Sequence, residues 1–157
     1  MANHRYRVSA QWVGNLGSGT VGYKSYSRDT VVRAGDKPEL RMSADKIFFG
    51  NASLWNPEEA LLAALVQCHM LSFLHLASSA GVVVESYEDN AEGILETEVN
   101  GAGKMLEVTL HPNVEISTGD IENLADLHER AREMCFIANS MNFPVKHQPS
   151  ASNRSRA

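Results

Sequence analysis

The sequence predicts an α+β fold, and three observations carry that reading. Strand patterns stand contiguously in the first third, a long apolar helix follows them, and a second group of strands precedes a second helix. A chain of alternating βα units would interleave strands and helices one by one. Its 157 residues, 43% apolar and 21% charged, suit one globular domain with a sizeable core. A single domain is therefore read over residues 1–147, and the polar tail 148–157 is expected to be disordered.

From Arg5 to Val13, Tyr6, Val8, Ala10 and Trp12 alternate with Arg5, Arg7, Ser9 and Gln11, the period of a half-buried strand. Residues 14–19 form a glycine-rich hairpin loop. No Lys-Ser/Thr pair and no helix follow it, so it does not make a phosphate loop. Residues 20–33 read as a second strand, 35–38 as a turn and 39–42 as a short third strand. The loop 43–55 carries Ile47, Phe48, Phe49, Leu54 and Trp55. That is too much apolar surface to leave in water, so the loop is expected to pack against something.

The helix that follows has a marked start. Asn56 is the N-cap, Pro57 the first helical residue, and Glu58 and Glu59 suit the positive end of the dipole. Gly81 caps its other end. The helix is apolar nearly all round, which predicts burial on most sides, by a sheet on one and a second subunit on the other. Residues 82–99 and 105–116 read as strands, with Pro112 marking a bend or an edge. A second helix is expected over 120–139, with Cys135 in its apolar stripe, and a short last strand over 143–145.

The net charge of −5 and the absence of a basic patch exclude nucleic acid as a partner. The N-terminus lacks the charged-then-apolar layout of a signal peptide. The run 60–77 is long enough to span a membrane, but Gln67, Cys68, His69, Ser72 and His75 interrupt it and no cations flank it. The expectation is a core helix, no membrane partner, and two reduced cytosolic thiols, Cys68 and Cys135.

Those thiols admit two readings from the residues alone, a redox pair or two packed core cysteines. Side-by-side packing of the two helices would let them meet. A peroxide-reducing thiol needs ionisation, a nearby cation to favour it in an apolar helix, a resolving thiol and an access path. Cys135 supplies a candidate resolver, and Arg28 and Arg41 are candidate cations. Glu58 stands ten residues before Cys68, about 15 Å along a helix. It either orients such an arginine, acts on a partner subunit's thiol, or is a plain first-turn dipole residue. The spacings of His69, His75 and His128 around the cysteines match no metal motif.

Asn56-Pro57-Glu58-Glu59, the ten residues from Glu58 to Cys68, and Cys135 a further 67 residues on together resemble the OsmC/Ohr family of osmotically inducible and organic hydroperoxide resistance proteins. The resemblance covers about residues 4–147. It implies an OsmC-like fold, with curved antiparallel sheets around two central helices in an intertwined homodimer. It also implies cysteine-dependent reduction of organic hydroperoxides, with no metal, haem or other cofactor. Cys68 would attack the peroxide, Cys135 would resolve the sulfenic acid to a disulfide, and Glu58 would hold an arginine near Cys68. A dithiol, in several family members a lipoylated protein, would re-reduce the pair. The family's arginine positions here hold Asn15-Leu16-Gly17 or Phe48 and Phe49, so Arg28 is taken as the substitute and the chain as a side branch. The alternative is a non-catalytic dimer of the same fold that binds an apolar ligand between Phe48, Phe49 and Trp55.

Overall fold

The computed structural model describes residues 2–154. The chain divides into two compact units, Met1–Ala60 and Leu61–Ala157.

In the first unit, β1 (Ser9–Trp12), β2 (Thr30–Arg33) and β3 (Leu40–Met42) pair antiparallel in that order. The expected strand 20–33 is a strand only in its last four residues. Before it, 14–29 is a looped excursion pinned at its neck, where Ser27 N–H donates to the Gly14 carbonyl at 3.0 Å and Trp12 Nε1–H to the Ser27 carbonyl at 2.8 Å. A side chain at Gly14 would drive its Cβ into the Ser27 carbonyl oxygen, so glycine is required at that crossing. The loop 43–55 turns through one 3₁₀ turn, Lys46–Phe48, and leaves Ile47, Phe49 and Trp55 about half exposed or more.

Helix α1 (Pro57–Ser79) opens as its residues predict. Glu59 N–H donates to Asn56 Oδ1 at 2.7 Å, and Asn56 N–H donates back to Glu59 Oε2 at 3.1 Å, a reciprocal capping box. At the far end Gly81 takes φ 73°, and Val82 N–H reaches back to the Ala77 carbonyl at 2.9 Å. Asn56→Ala removes one arm of the box at a buried cap, so a loss of about 1–2 kcal/mol is expected in urea denaturation. A change below about 0.3 kcal/mol would show that the cap contributes nothing.

In the second unit, β4 (Val83–Asp89) and β5 (Glu92–Thr97) replace the single strand expected over 82–99. Likewise β6 (Gly103–Leu110) and β7 (Pro112–Thr118) replace the strand expected over 105–116. Both breaks arise because the chain passes from one sheet to another. β4 pairs with β7 and β5 with β6, all antiparallel. The crossing is tied by Asp89, whose Oδ1 accepts the His111 N–H at 2.7 Å. Pro112, with no N–H to give, begins β7.

Helix α2 is shorter than expected. A 3₁₀ turn, Ile121–Asn123, leads into Leu124–Met134, and another follows at Ala138–Ser140. The last strand lies at β8 (Val145–His147), which joins β6 in parallel. The tail expectation is corrected. Ser150–Asn153 form β9, parallel to β7, and Arg154 N–H donates to the Ile116 carbonyl at 2.8 Å. The open edge of β7 supplies the backbone partners, and Ala151 gives the strand one apolar contact with the core. Residues 155–157 of that tail lie outside the described residues. The sheets are thus not wholly antiparallel, since β8 and β9 each add a parallel edge.

In the second unit the core joins one face of α1 to β6 and β7. Leu65 packs on Val108 and Leu110 of β6, while Phe73, Leu76 and Ala77 pack on Val114 and Ile116 of β7 and on Leu124, Leu127 and Ala131 of α2. The buried residues of α1 are Leu65, His69, Phe73, Leu76 and Ala77, a single stripe. Burial on most sides, as the all-round apolar pattern predicted, is not reached within one chain, and Leu71 is 58% exposed.

Candidate functional site

The second unit brings Cys68 and Cys135 together. Cys68 lies half-buried in the middle of α1. Cys135 is only 1% exposed and is the first residue past α2, not a residue inside the helix as the apolar stripe suggested. There the backbone turns extended, at φ −74° and ψ 99°, and Cys135 Sγ accepts the Ala138 N–H at 3.4 Å. The Cys68 side chain is close enough to perturb the Cys135 thiol. Burial first, and the Cys68 side chain second, push the Cys135 thiol up to about 11, against the weaker pull of the Ala138 and Ile137 N–H groups. At neutral pH Cys135 is therefore a buried, protonated thiol.

Beside the pair lies a cluster that the sequence did not single out as a unit. His69 of α1 and His128 of α2 join through Nε2 and Nδ1 at 3.0 Å, with ring planes 9° apart. His147 of β8 lies against both rings, with centroids at 5.5 and 6.2 Å, and its Nε2 meets Glu129 Oε1 at 3.2 Å. Phe73 stacks on His128 at 4.1 Å. Burial, then the neighbouring His147, lowers His69 to about 4. Burial, then His69 and His147, lowers His128 to about 3. Both rings are neutral at pH 7. Among the described residues no group of three or more His, Cys, Asp or Glu is arranged to hold a metal ion. The one available sequence signal was spacing: His69 follows Cys68 directly, and His128 precedes Cys135 by seven residues, two helical turns. His147 carried no signal.

The other two predicted residues lie in the first unit. Arg28 donates from Nη1 to the Tyr26 carbonyl at 2.8 Å and from Nη2 to the Tyr23 carbonyl at 2.6 Å. Its guanidinium lies 4.4 and 4.3 Å from the ring centroids of Tyr23 and Tyr26. Glu58 Oε2 is buried without a hydrogen-bond partner, and among the described residues no ion pair joins it to Arg28. Trp55 lines a groove of about 390 Å³ with Ala52, Ser53, Leu54 and Glu59, while Phe49 packs edge-on against Tyr23 at 5.4 Å.

A family model described as OsmC-like protein matches residues 50–150. An OsmC-like protein of unknown function from Vibrio cholerae shares 30% identity with a TM-score of 0.85, over 94% of this chain and 100% of that one. The uncharacterized protein YmaD of Bacillus subtilis (strain 168) is 25% identical over 97% of this chain and 96% of its own. An organic hydroperoxide resistance protein OsmC from Legionella pneumophila has a TM-score of 0.69 at 20% identity, covering 97% of this chain and 99% of that one, a likeness of fold alone.

Proposed function

The chain belongs to the OsmC-like family, and from that premise we propose that it is a two-cysteine thiol peroxidase for organic hydroperoxides. The observation that carries the reading is the pairing of a half-buried Cys68 with a buried Cys135. The Cys68 thiolate attacks the peroxide oxygen. The O–O bond breaks, the leaving alkoxide takes a proton and departs as alcohol, and Cys68 becomes a sulfenic acid. The Cys135 sulfur then attacks the Cys68 sulfur, its proton leaves with the hydroxyl as water, and a disulfide remains. A dithiol, such as a lipoylated protein, takes up the disulfide by exchange and becomes oxidised in turn.

The proposal also gives Glu58 the role of cation holder and Arg28 that of the cation. An unpartnered buried carboxylate oxygen on Glu58 fits a cation holder, and the carbonyls and rings of Tyr23 and Tyr26 hold Arg28 in one place. If Arg28 supplies the positive charge, Arg28→Met lowers kcat/KM for cumene hydroperoxide by about 100-fold, comparable to losing one charge-stabilising donor. Unchanged kinetics remove Arg28 from the site. A homodimer belongs to the same proposal, because Leu71, Ile47, Phe49 and Trp55 leave apolar surface uncovered in one chain.

The test adds one equivalent of cumene hydroperoxide to reduced protein and maps peptides by mass within seconds. Loss of two hydrogens in a Cys68–Cys135 crosslink supports the reading. Two free thiols at large peroxide excess overturn it, and then the Trp55 groove, as an apolar-ligand site, becomes the function to pursue.

A further inference from the structure

We infer that the His69–His128 hydrogen bond is a positioning device that sets the approach of Cys68 to Cys135, and so controls how readily their disulfide forms. The inference rests on the cysteine pairing of the proposed function, and the histidines touch no substrate in it. Among the described residues this is the side-chain hydrogen bond that crosses from α1 to α2, at 3.0 Å between Nε2 and Nδ1. Its two ends stand at set offsets from the thiols. His69 is bonded directly to Cys68 along α1, and His128 lies on α2 seven residues before Cys135, which directly follows the end of the helix.

The bond cannot easily lengthen. His69 and His128 are 2% and 1% exposed, so no water stands ready to replace either partner. Phe73 stacks on His128 with 20° between the planes, and His147, itself held by Glu129, lies against both imidazoles. The rings are clamped between these neighbours, so the bond geometry is carried to the helix backbones rather than lost in side-chain rotation. A disulfide tolerates only a narrow range of Cα separations. A small change in how α1 and α2 are tied therefore alters the strain in the bridge.

The test needs no peroxide. Full-length protein is equilibrated in mixtures of reduced and oxidised glutathione. One oxidised glutathione takes two electrons from the Cys68 and Cys135 thiols, leaving the protein disulfide and two reduced glutathiones. His128→Leu keeps the bulk and removes the bond, while His128→Asn places an amide where Nδ1 stands. The His128→Leu equilibrium constant for disulfide formation is expected to fall about tenfold, a potential less negative by about 30 mV. His128→Asn should return to within about threefold of the parent. If His128→Leu does not fold, His69→Gln against His69→Met makes the same comparison from α1, with Gln retaining the parent's potential and Met losing it.

Equal potentials in the bonding and non-bonding variants overturn the inference. No disulfide in oxidised glutathione overturns it together with the cysteine pairing. A disulfide that forms with glutathione but not with cumene hydroperoxide overturns the peroxidase reading alone, and a potential that still follows the histidine bond then upholds the inference.

Discussion

Cys68→Ser is expected to lose hydroperoxide consumption by about 10³-fold or more, while Cys135→Ser completes its first turnover and stops. The asymmetry follows from the environments of the two sulfurs. Cys68 is half-buried, whereas Cys135 is 1% exposed and its thiol is pushed up to about 11. Cys135 therefore keeps its proton and does not compete for the peroxide. In the Cys135→Ser variant a hydroxyl replaces the neighbouring thiol, and the Cys68 sulfenic acid has no resolving partner. It should be trapped by a 1,3-diketone probe as a single adduct, and should pass to sulfinic acid under excess peroxide. Stopped-flow consumption of one equivalent of cumene hydroperoxide, followed by intact mass, reads both steps. Equal loss of the first turnover in the two variants would count against the assigned roles, because it would make Cys135 part of the attack.

Acid is expected to unfold the second unit well before its carboxylates are all protonated. His69 and His128 titrate near 4 and 3 in the fold, against about 6.5 in an unfolded chain. Their folded pKa values are depressed, so the unfolded chain binds more protons between about pH 3 and 6.5. The stability held by the neutral pair is complete above pH 6.5 and drains away as pH falls through that window. Burial is the largest cause of both shifts, and together they correspond to a loss on the order of 5 kcal/mol. That is a large part of the stability of an ordinary domain. Asp89, whose carboxyl burial holds above its usual range, works in the opposite direction and gains on acidification. Urea denaturation from pH 7.5 down to 4 measures the slope. His128→Asn, which replaces a titrating ring by an amide, should flatten it. A parent stability that changes by less than about 1 kcal/mol across that range rules out the buried pair as the acid-sensitive element.

How much of this could be read without coordinates depends on whether the signal was local. The capping box at Asn56 and Glu59 and the left-handed Gly81 are written within a few residues, since a cap is a short-range hydrogen bond. The strand breaks near Asn90 and His111 were not legible. A continuous apolar-polar alternation does not say which sheet each half joins, and Asp89–His111 is a contact across 22 residues. β9 was hidden for the same reason, because a polar segment becomes a strand when an open edge such as β7 offers it backbone partners. The apolar stripe placed Cys135 on a helix, but that periodicity carries no stop signal, and the chain turns extended at that very residue.

The sequence by itself determined the α+β order and the start and end of α1, and its spacing of Glu58, Cys68 and Cys135 carried the family resemblance. Each is a matter of residue type at a short or fixed offset. Only the tertiary structure decided that Cys68 and Cys135 come close together, and that His69 and His128 form a buried neutral pair with the ring of His147 lying against both. The structure also decided that Arg28 is held by its own loop, with no ion pair to Glu58 among the described residues. Those facts depend on burial and on partners far apart in the chain. They are what move a thiol or an imidazole away from its ordinary behaviour, and no single stretch of residues records them.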